Sequence, residues 1–334
     1  MSDRWRRRFR LACALLVSWP AAAEPKIVSL HKIWDQGPHN AFTDLIRFRR
    51  SWYCAFREGE GHVGGDGKLR VLASRDGEKW DSAALLAEPG VDLRDPKLSI
   101  TPDGRLVVLA GGSVYEGRTY RGRQPRVAFS SNGRDWSAPR RILSEGDWLW
   151  RLTWQGKRGY GVSYRGTGQD PRSGVLYATG DGLTYERITE LEVPGVSEVT
   201  LRFLPGDEMM ALARRELDER HGWIGVSRPP YRDWKWRPIG HRLGGPNFIR
   251  LPDGRLLAGS RSHAPGGPST VLARLGPETY EPILTLPSGG DSSYPGMVWR
   301  QNMLWMSYYS SHEGKTSVYL ARIRFTETRG PARR

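Results

Sequence analysis

The apolar residues of this chain fall in short runs separated by turns rich in Gly, Pro, Asp or Arg, and the runs come in pairs. The clearest pair is Ser197-Glu-Val-Thr-Leu-Arg-Phe203 and Met210-Ala-Leu-Ala-Arg214-Arg215-Glu216, joined by Leu204-Pro-Gly-Asp207. Apolar runs of this length between turn formers predict strands, and the connection predicts a hairpin. Such a hairpin brings Glu198 and Arg214/Arg215 to the same end of a sheet. Five further segments repeat the layout: Asp44–Glu58, Asp95–Leu109, Arg151–Arg165, Asn247–Arg261 and Tyr294–Tyr309. Their leading polar residues are Asp44, Asp95, Arg151, Glu198, Asn247 and Tyr294, spaced 47 to 56 residues apart. A period of about fifty residues made only of short strands predicts an all-β chain folded as a six-bladed β-propeller.

A second motif lies between the hairpins. Ser74-Arg-Asp76-Gly77-Glu-Lys-Trp80 has close variants at Ser130-Ser-Asn132-Gly133-Arg-Asp-Trp136 and Thr179-Gly-Asp181-Gly182-Leu-Thr-Tyr185. Asp-Gly and Asn-Gly suit tight turns, because Gly accepts a positive φ and the Asx side chain bonds nearby backbone. These turns are read as structural, with the trailing aromatic packed beneath them. The segment Lys26–Trp34 has no partner close in sequence. It is expected to join the blade built from Tyr294 to Phe325 and so close the ring, leaving no edge between first and last blades.

The N-terminus changes the picture of where the protein works. Arg4, Arg6, Arg7, Arg8 and Arg10 precede the apolar run Leu11–Pro20 and the small residues Ala21–Ala23, the pattern of a signal peptide over residues 1–23. The expected mature protein is a propeller over residues 24–326 with a loose basic tail at 327–334. It is exported, periplasmic or secreted, with no membrane anchor after signal removal, and a monomer is expected. Cys54 is then the remaining cysteine, so no intramolecular disulfide forms, and no Cys or His pair has zinc spacing. No metal and no other cofactor is expected. The formal charge of +15 includes five arginines and one aspartate of the signal, which leaves about +11. The excess is scattered Arg with no basic stripe, which argues against nucleic acid and for acidic small partners.

In a propeller the innermost strands start at one mouth of a central channel. The six leading residues therefore become neighbours, and the second-strand ends add Arg57, Glu58, Arg165, Arg214, Arg215 and Arg261. So many charges at a hub point to a pocket, since buried charge is costly unless paired. Arginines grip carboxylate, sulfate or phosphate, and a tyrosine beside a glutamate suits nucleophilic attack.

The Ser-x-Asp-Gly-x-x-Trp turns and this layout resemble the exo-α-sialidase superfamily of six-bladed propellers. The resemblance implies an arginine triad on the substrate carboxylate, a Tyr nucleophile, a Glu that activates it and an Asp acid/base. It implies that Glu198 is the activating residue, Tyr294 the nucleophile, and Arg214 and Arg261 two of the triad. The first blade departs from the family's Phe/Tyr-Arg-Ile-Pro motif and reads Ala41-Phe42-Thr43-Asp44. Arg57 is expected to reach the same space. His62 and Asp66, in Gly61-His-Val-Gly-Gly-Asp-Gly67, are both candidates for the acid/base, with Asp44 and Asp95 as further ones. Asp44, Asp95, Arg151 and Asn247 are expected to contact substrate. The function expected is an exported, retaining exo-glycosidase acting on a terminal acidic sugar, sialic acid or similar. The alternatives are a polysaccharide lyase or glycosidase for uronate- or rhamnose-containing glycans, and a non-catalytic glycan-binding propeller.

Overall fold

The computed structural model describes residues 23–65, 67–166 and 172–327. Six antiparallel sheets follow one another along the chain, each starting at the centre and running outward. Blade 1 holds His39–Phe48, Ser51–Gly59, Lys68–Ser74 and Asp81–Leu86. Blade 2 holds Val91–Ile100, Leu106–Glu116, Thr119–Ser130 and Arg140–Arg141. Blade 3 starts with a broken inner strand, Trp148–Leu149 and Thr153–Gln155, and continues with Arg158–Arg165, Ser173–Thr179 and Tyr185–Leu191. Blade 4 is Val196–Leu204, Glu208–Arg215, His221–Ser227 and Trp234–Arg242. Blade 5 is Asn247–Arg250, Leu256–Ser262, Ser269–Leu275 and Tyr280–Thr285.

Blade 6 takes Ser292–Arg300, Met303–Ser310 and Ser317–Glu327 from the end of the chain. Its outermost strand is Ala23–Trp34, paired antiparallel with Ser317–Glu327. The two ends of the fold are thus hydrogen-bonded into one sheet, and the ring closes as expected.

Each sheet buries both faces against its neighbours, which is why its middle strands are continuously apolar rather than alternating. Leu106–Ala110 is buried throughout: Leu106, Val108 and Ala110 pack with Val71 and Leu93 towards blade 1, while Val107 and Leu109 pack with Leu149 and Leu152 towards blade 3. The Asx-Gly turns hold the outer edges. Ser74 Oγ accepts from Gly77 N at 2.8 Å, Asp76 Oδ1 accepts from Glu78 N and Lys79 N, and Trp80 Nε1 donates to Gly77 O at 3.1 Å. The turns at Ser130 and Thr179 repeat the first of these bonds at 2.8 Å. Gly133 has φ 78°, and a Cβ there would lie 2.3 Å from the Tyr53 ring of blade 1, so the turn is pressed onto the preceding blade.

Candidate active site

The inner strands are interrupted near the channel mouth, and the interruptions create the site. Register shifts fall between Ala41 and Asp44, Arg94 and Lys97, Val196 and Val199, and Ser293 and Gly296. A bulge leaves its extra residue unpaired and re-aims the side chain. Phe42, Asp95 and Tyr294 all have positive φ, at 65°, 55° and 52°. For non-glycine residues that conformation is costly and persists only where packing imposes it. Gly245, φ 61°, takes the corresponding place before the inner strand of blade 5, and Trp150 lies in the break of blade 3. The residues meeting at the mouth are therefore Phe42, Asp95, Trp150, Glu198, Gly245 and Tyr294.

Tyr294 sits at their centre, 8% exposed. Its ring meets Phe42 at 4.9 Å and Trp150 at 5.5 Å, both edge to face. Its hydroxyl donates to Glu198 Oε1 at 2.6 Å. Arg214 Nη1 donates to the same oxygen at 2.9 Å, and Gly245 N donates to Glu198 Oε2 at 2.7 Å. Burial works against the Glu198 charge, but Arg214 and these hydrogen bonds hold the carboxyl below the usual carboxylate range. Tyr294 is shifted the other way. Burial and then the Glu198 carboxylate push the phenol well above its ordinary value, and Arg214 offsets only part of this. The phenol therefore keeps its proton beside an ionised base. Lys97 Nζ lies 5.3 Å from the centre of the Tyr294 ring, and burial pulls it down to about 8.

Above this pair opens a cavity of about 520 Å³. Tyr294, Glu198, Arg214, Asp95 and His62 line one part of it, and Arg94, Arg123, Arg172, Trp148 and Tyr164 another, with Tyr115 and Tyr120. Asp95 Oδ1 has no hydrogen-bond partner, and burial raises its carboxyl despite Lys97 and Arg94 nearby.

Five residues expected to hold substrate are turned elsewhere. Arg57 is fully buried and away from the cavity: Nε donates to Asp92 Oδ1 at 2.7 Å, and the other nitrogens bond Gly61 O and Gly64 O. Asp44 accepts from Arg151 Nη1 at 2.8 Å and Nη2 at 3.1 Å and from Leu98 N at 2.7 Å. Asn247 donates to Pro295 O and accepts from Arg202. Asp44, Arg151 and Asn247 form a buried polar hub beneath the mouth that ties blades together. Apart from Arg151 Nε, which is buried without a partner, their side-chain polar groups bond protein, and none of the three lines the cavity. Arg261 lies behind the nucleophile rather than in the cavity lining, with Nε on Ser292 O at 2.7 Å and Nη2 on the Tyr309 hydroxyl at 3.0 Å. Asp66 lies outside the described residues.

His62 belongs to a relay that the sequence does not announce. Its Nδ1 lies 2.6 Å from Asp291 Oδ2, and His39 Nε2 lies 2.9 Å from the same oxygen. Tyr309 donates to Asp291 Oδ1 at 2.9 Å. These bonds outweigh burial and hold the Asp291 carboxyl well below its ordinary range. With Nδ1–H donated to Asp291, His62 keeps Nε2 as the nitrogen free to exchange a proton. The donor atoms of His39, His62 and Asp291 lie within 4.8 Å of one another, a spacing a metal ion could use. However, the Arg261 guanidinium stands 3.7 Å from Asp291 Oδ1, which opposes a dication, and the ring-to-carboxylate distances are those of shared protons.

No protein-family model and no curated protein matches the chain. Solved structures do. A protein of unknown function from Dyadobacter fermentans superposes with a TM-score of 0.80 at 19% identity, over 90% of this chain and 99% of that one. A mutant of Trypanosoma rangeli sialidase displaying trans-sialidase activity gives 0.70 at 11%, over 89% of this chain and 58% of that one. This chain has the fold of the sialidases. An α-L-arabinofuranosidase from Fusarium graminearum gives 0.69 at 13%, over 89% and 98% of the two chains. The sialidase-fold propeller described here is thus shared by glycosidases of different substrates.

Proposed function

We propose that this sialidase-fold protein is an exported, retaining exo-glycosidase acting on a terminal acidic sugar, sialic acid or similar. The observation that carries the reading is the 2.6 Å hydrogen bond from Tyr294 to a charged Glu198 at the floor of the cavity. In the first step the Tyr294 oxygen bonds to the anomeric carbon while its proton passes to Glu198. The glycosidic bond breaks, and His62 Nε2 delivers a proton to the leaving oxygen. In the second step His62 takes a proton from water, the water oxygen bonds to the anomeric carbon, and Tyr294 leaves and recovers its proton from Glu198. Asp291 accepts from Nδ1–H throughout, so His62 enters the first step as the imidazolium with its second proton on Nε2 and leaves it as the neutral form that serves as base in the second. A neutral tyrosine beside a buried anion is a sensible nucleophile, because attack by phenolate on an anionic sugar would suffer charge repulsion. The signal-peptide pattern of residues 1–23 supports export.

The test is turnover of a fluorogenic α-sialoside by the purified protein, beside Tyr294→Phe and Glu198→Ala. Turnover lost in both variants, with a covalent sugar adduct on Tyr294 in the presence of a slow fluorinated substrate, supports the reading. Turnover that survives Tyr294→Phe would sink it.

A further inference from the structure

The cavity has two sets of guanidinium groups, and they differ in whether their charge is matched. Beside the nucleophile, Arg214 is paired with both Glu198 and Glu216. Arg261 is held by Ser292, Tyr309 and Asp291. Phe42 fills the mouth position of blade 1, and Arg57 is spent on Asp92. Among the described residues, the cation next to Tyr294 without a carboxylate partner is Lys97, which is buried, donates to the Asp95 and Pro96 carbonyls and does not line the cavity.

The other set lies on the wall made by blades 2 and 3. Arg94 stands over Trp148 at 4.9 Å, Arg123 over Tyr164 at 5.0 Å, and Arg172 over Tyr164 at 5.8 Å. Arg94 donates to Ser113 Oγ at 3.1 Å, and its buried Nε has no partner. Among the described residues, Arg123 donates to the carbonyls of Gly146, Tyr164 and Gly166. Among the described residues, neither Arg94 nor Arg123 forms an ion pair with a carboxylate. Arg172 has a long one, 3.6 Å to Glu216, which Arg214 also uses. Asp95 is the neighbouring negative group, and its carboxyl is drawn towards the neutral form. The wall is built by an unusual extension: the hairpin Leu106–Glu116/Thr119–Ser130 is longer than the middle hairpins of blades 1, 3, 4 and 5. Its tip brings Tyr115 and Tyr120 to the cavity rim. Arg123 is buried and Arg94 and Arg172 are partly buried; such cations lack full hydration, and an oxyanion from a ligand offsets that cost.

We infer that the blade 2–3 wall is the subsite for the substrate's acidic group, a carboxylate or sulfate carried away from the anomeric carbon. The inference rests on the glycosidase reading for the position of the anomeric carbon at Tyr294 and, among the acidic sugars of that reading, takes those whose acid is not on the anomeric carbon, which sets sialic acid aside. The geometry follows from the two sets. With the reacting carbon at Tyr294, the guanidiniums without carboxylate partners on the same cavity's blade 2–3 wall are there to receive a substituent carried on the ring, as at the far end of a uronate or a sulfated ring. An acid on the anomeric carbon itself would face Arg214, which already pairs with Glu198 and Glu216 although its Nε has no partner. The aromatic faces behind the guanidiniums add planar surface for the ring, and the guanidinium plane admits bidentate grip of either oxyanion.

The experiment uses the full chain and four calorimetric probes. Three are disaccharides alike except at the terminal residue: glucose, glucuronate, or glucose 6-sulfate. The fourth is a sialyl disaccharide. Wild type is expected to bind the glucuronate or the sulfate probe at least about tenfold tighter than the neutral one, and the stronger of the two identifies the oxyanion. Arg94→Gln and Arg172→Gln are expected to bring that ratio close to one while leaving the neutral probe unchanged. Arg123 also bridges carbonyls of blade 3, so its variant is not used, and thermal melting checks the other two. No preference for either remote anion over the neutral probe, a ratio retained in the Arg94/Arg172 double variant, or tightest binding of the sialyl probe would each overturn the inference. Charge-dependent binding without turnover would leave the subsite standing and sink the glycosidase reading. Turnover of neutral and acidic glycosides alike would do the reverse.

Discussion

Phe42 and Tyr294 occupy equivalent bulges in blades 1 and 6, both with positive φ, and their rings meet edge to face at 4.9 Å. Phe42 also contacts the His62 ring at 5.0 Å and Tyr309 at 5.4 Å. One side chain therefore braces the nucleophile, the proposed proton donor and the relay behind it. Phe42→Ala is expected to cost about 3–5 kcal/mol of stability, measured by denaturant unfolding, because the surrounding rings cannot collapse into the space. It should also lower kcat more than it raises KM, since it frees Tyr294 without touching the blade 2–3 wall.

Tyr294 and Glu198 act as one unit, and their variants should behave so. Tyr294→Phe keeps every ring contact and removes the attacking oxygen. Its kcat is expected to fall at least about a thousandfold, with a melting temperature close to wild type. Glu198→Gln should cost on the order of a hundred- to ten-thousandfold, the range of a lost base. The double variant should be no worse than Tyr294→Phe alone, because the base has no proton to take once the phenol is gone. Additive losses would show that the two residues serve different steps.

Asp291 gives a pH signature. Its folded carboxyl lies below the usual range, because the hydrogen bonds from His39, His62 and Tyr309 outweigh burial. Between the folded and the ordinary carboxylate pKa the unfolded chain binds more protons, so stability rises with pH across that window. The contribution is complete above the ordinary carboxylate pKa and is lost as pH falls through the folded one. Asp291→Asn is expected to flatten this acid arm in unfolding curves recorded below about pH 5. The same variant releases the His62 tautomer, so kcat should fall while binding of the neutral disaccharide is retained.

The sequence carries the ring of blades clearly and the site unevenly, for one physical reason. The repeat is set by paired apolar strands and Asx-Gly turns, which leave a period that survives divergence. The mouth positions are set by bulges, and a bulge has no period of its own. Where the mouth residue is polar or ionisable, as at Asp95, Glu198 and Tyr294, it leads its segment and can be found. In blades 1 and 5 the mouth residues are Phe42 and Gly245, and in blade 3 it is Trp150. A search for a leading polar residue then slides onward to Asp44, Asn247 and Arg151, which belong to the hub below. The blade 2–3 wall is hidden differently. Arg123 comes from a third strand, and Trp148 and Tyr164 read as core aromatics until two blades are set side by side.

Arg57 has a role other than the one its position suggests. With Asp92 it builds a cage for the loop that carries His62: Arg57 bonds Gly61 O and Gly64 O, and Asp92 Oδ2 accepts from Gly64 N at 3.1 Å. A Cβ on Gly67 would strike both side chains, so the loop returns through a gap that only glycine fits. Arg57→Met leaves Asp92 as a buried uncompensated charge and is expected to cost about 3–5 kcal/mol. At a temperature where the variant is folded, kcat should fall with little change in KM for an acidic glycoside. A large rise in KM instead would return Arg57 to the substrate.

The Asp44–Arg151 pair separates scaffold from site most directly. Both side chains are buried, bonded to each other twice, and absent from the cavity lining. Removing one partner strands the other charge, so Arg151→Met is expected to destabilise the fold by about 3–5 kcal/mol. Replacing both, as in Asp44→Asn with Arg151→Met, removes the stranded charge and should recover part of that loss, because a buried pair gains little over neutral groups of similar size. In both variants KM for an acidic glycoside should match wild type once folding is checked by circular dichroism. A KM that rises with loss of the pair, and does not recover in the double variant, would mean that Arg151 reaches the substrate after all.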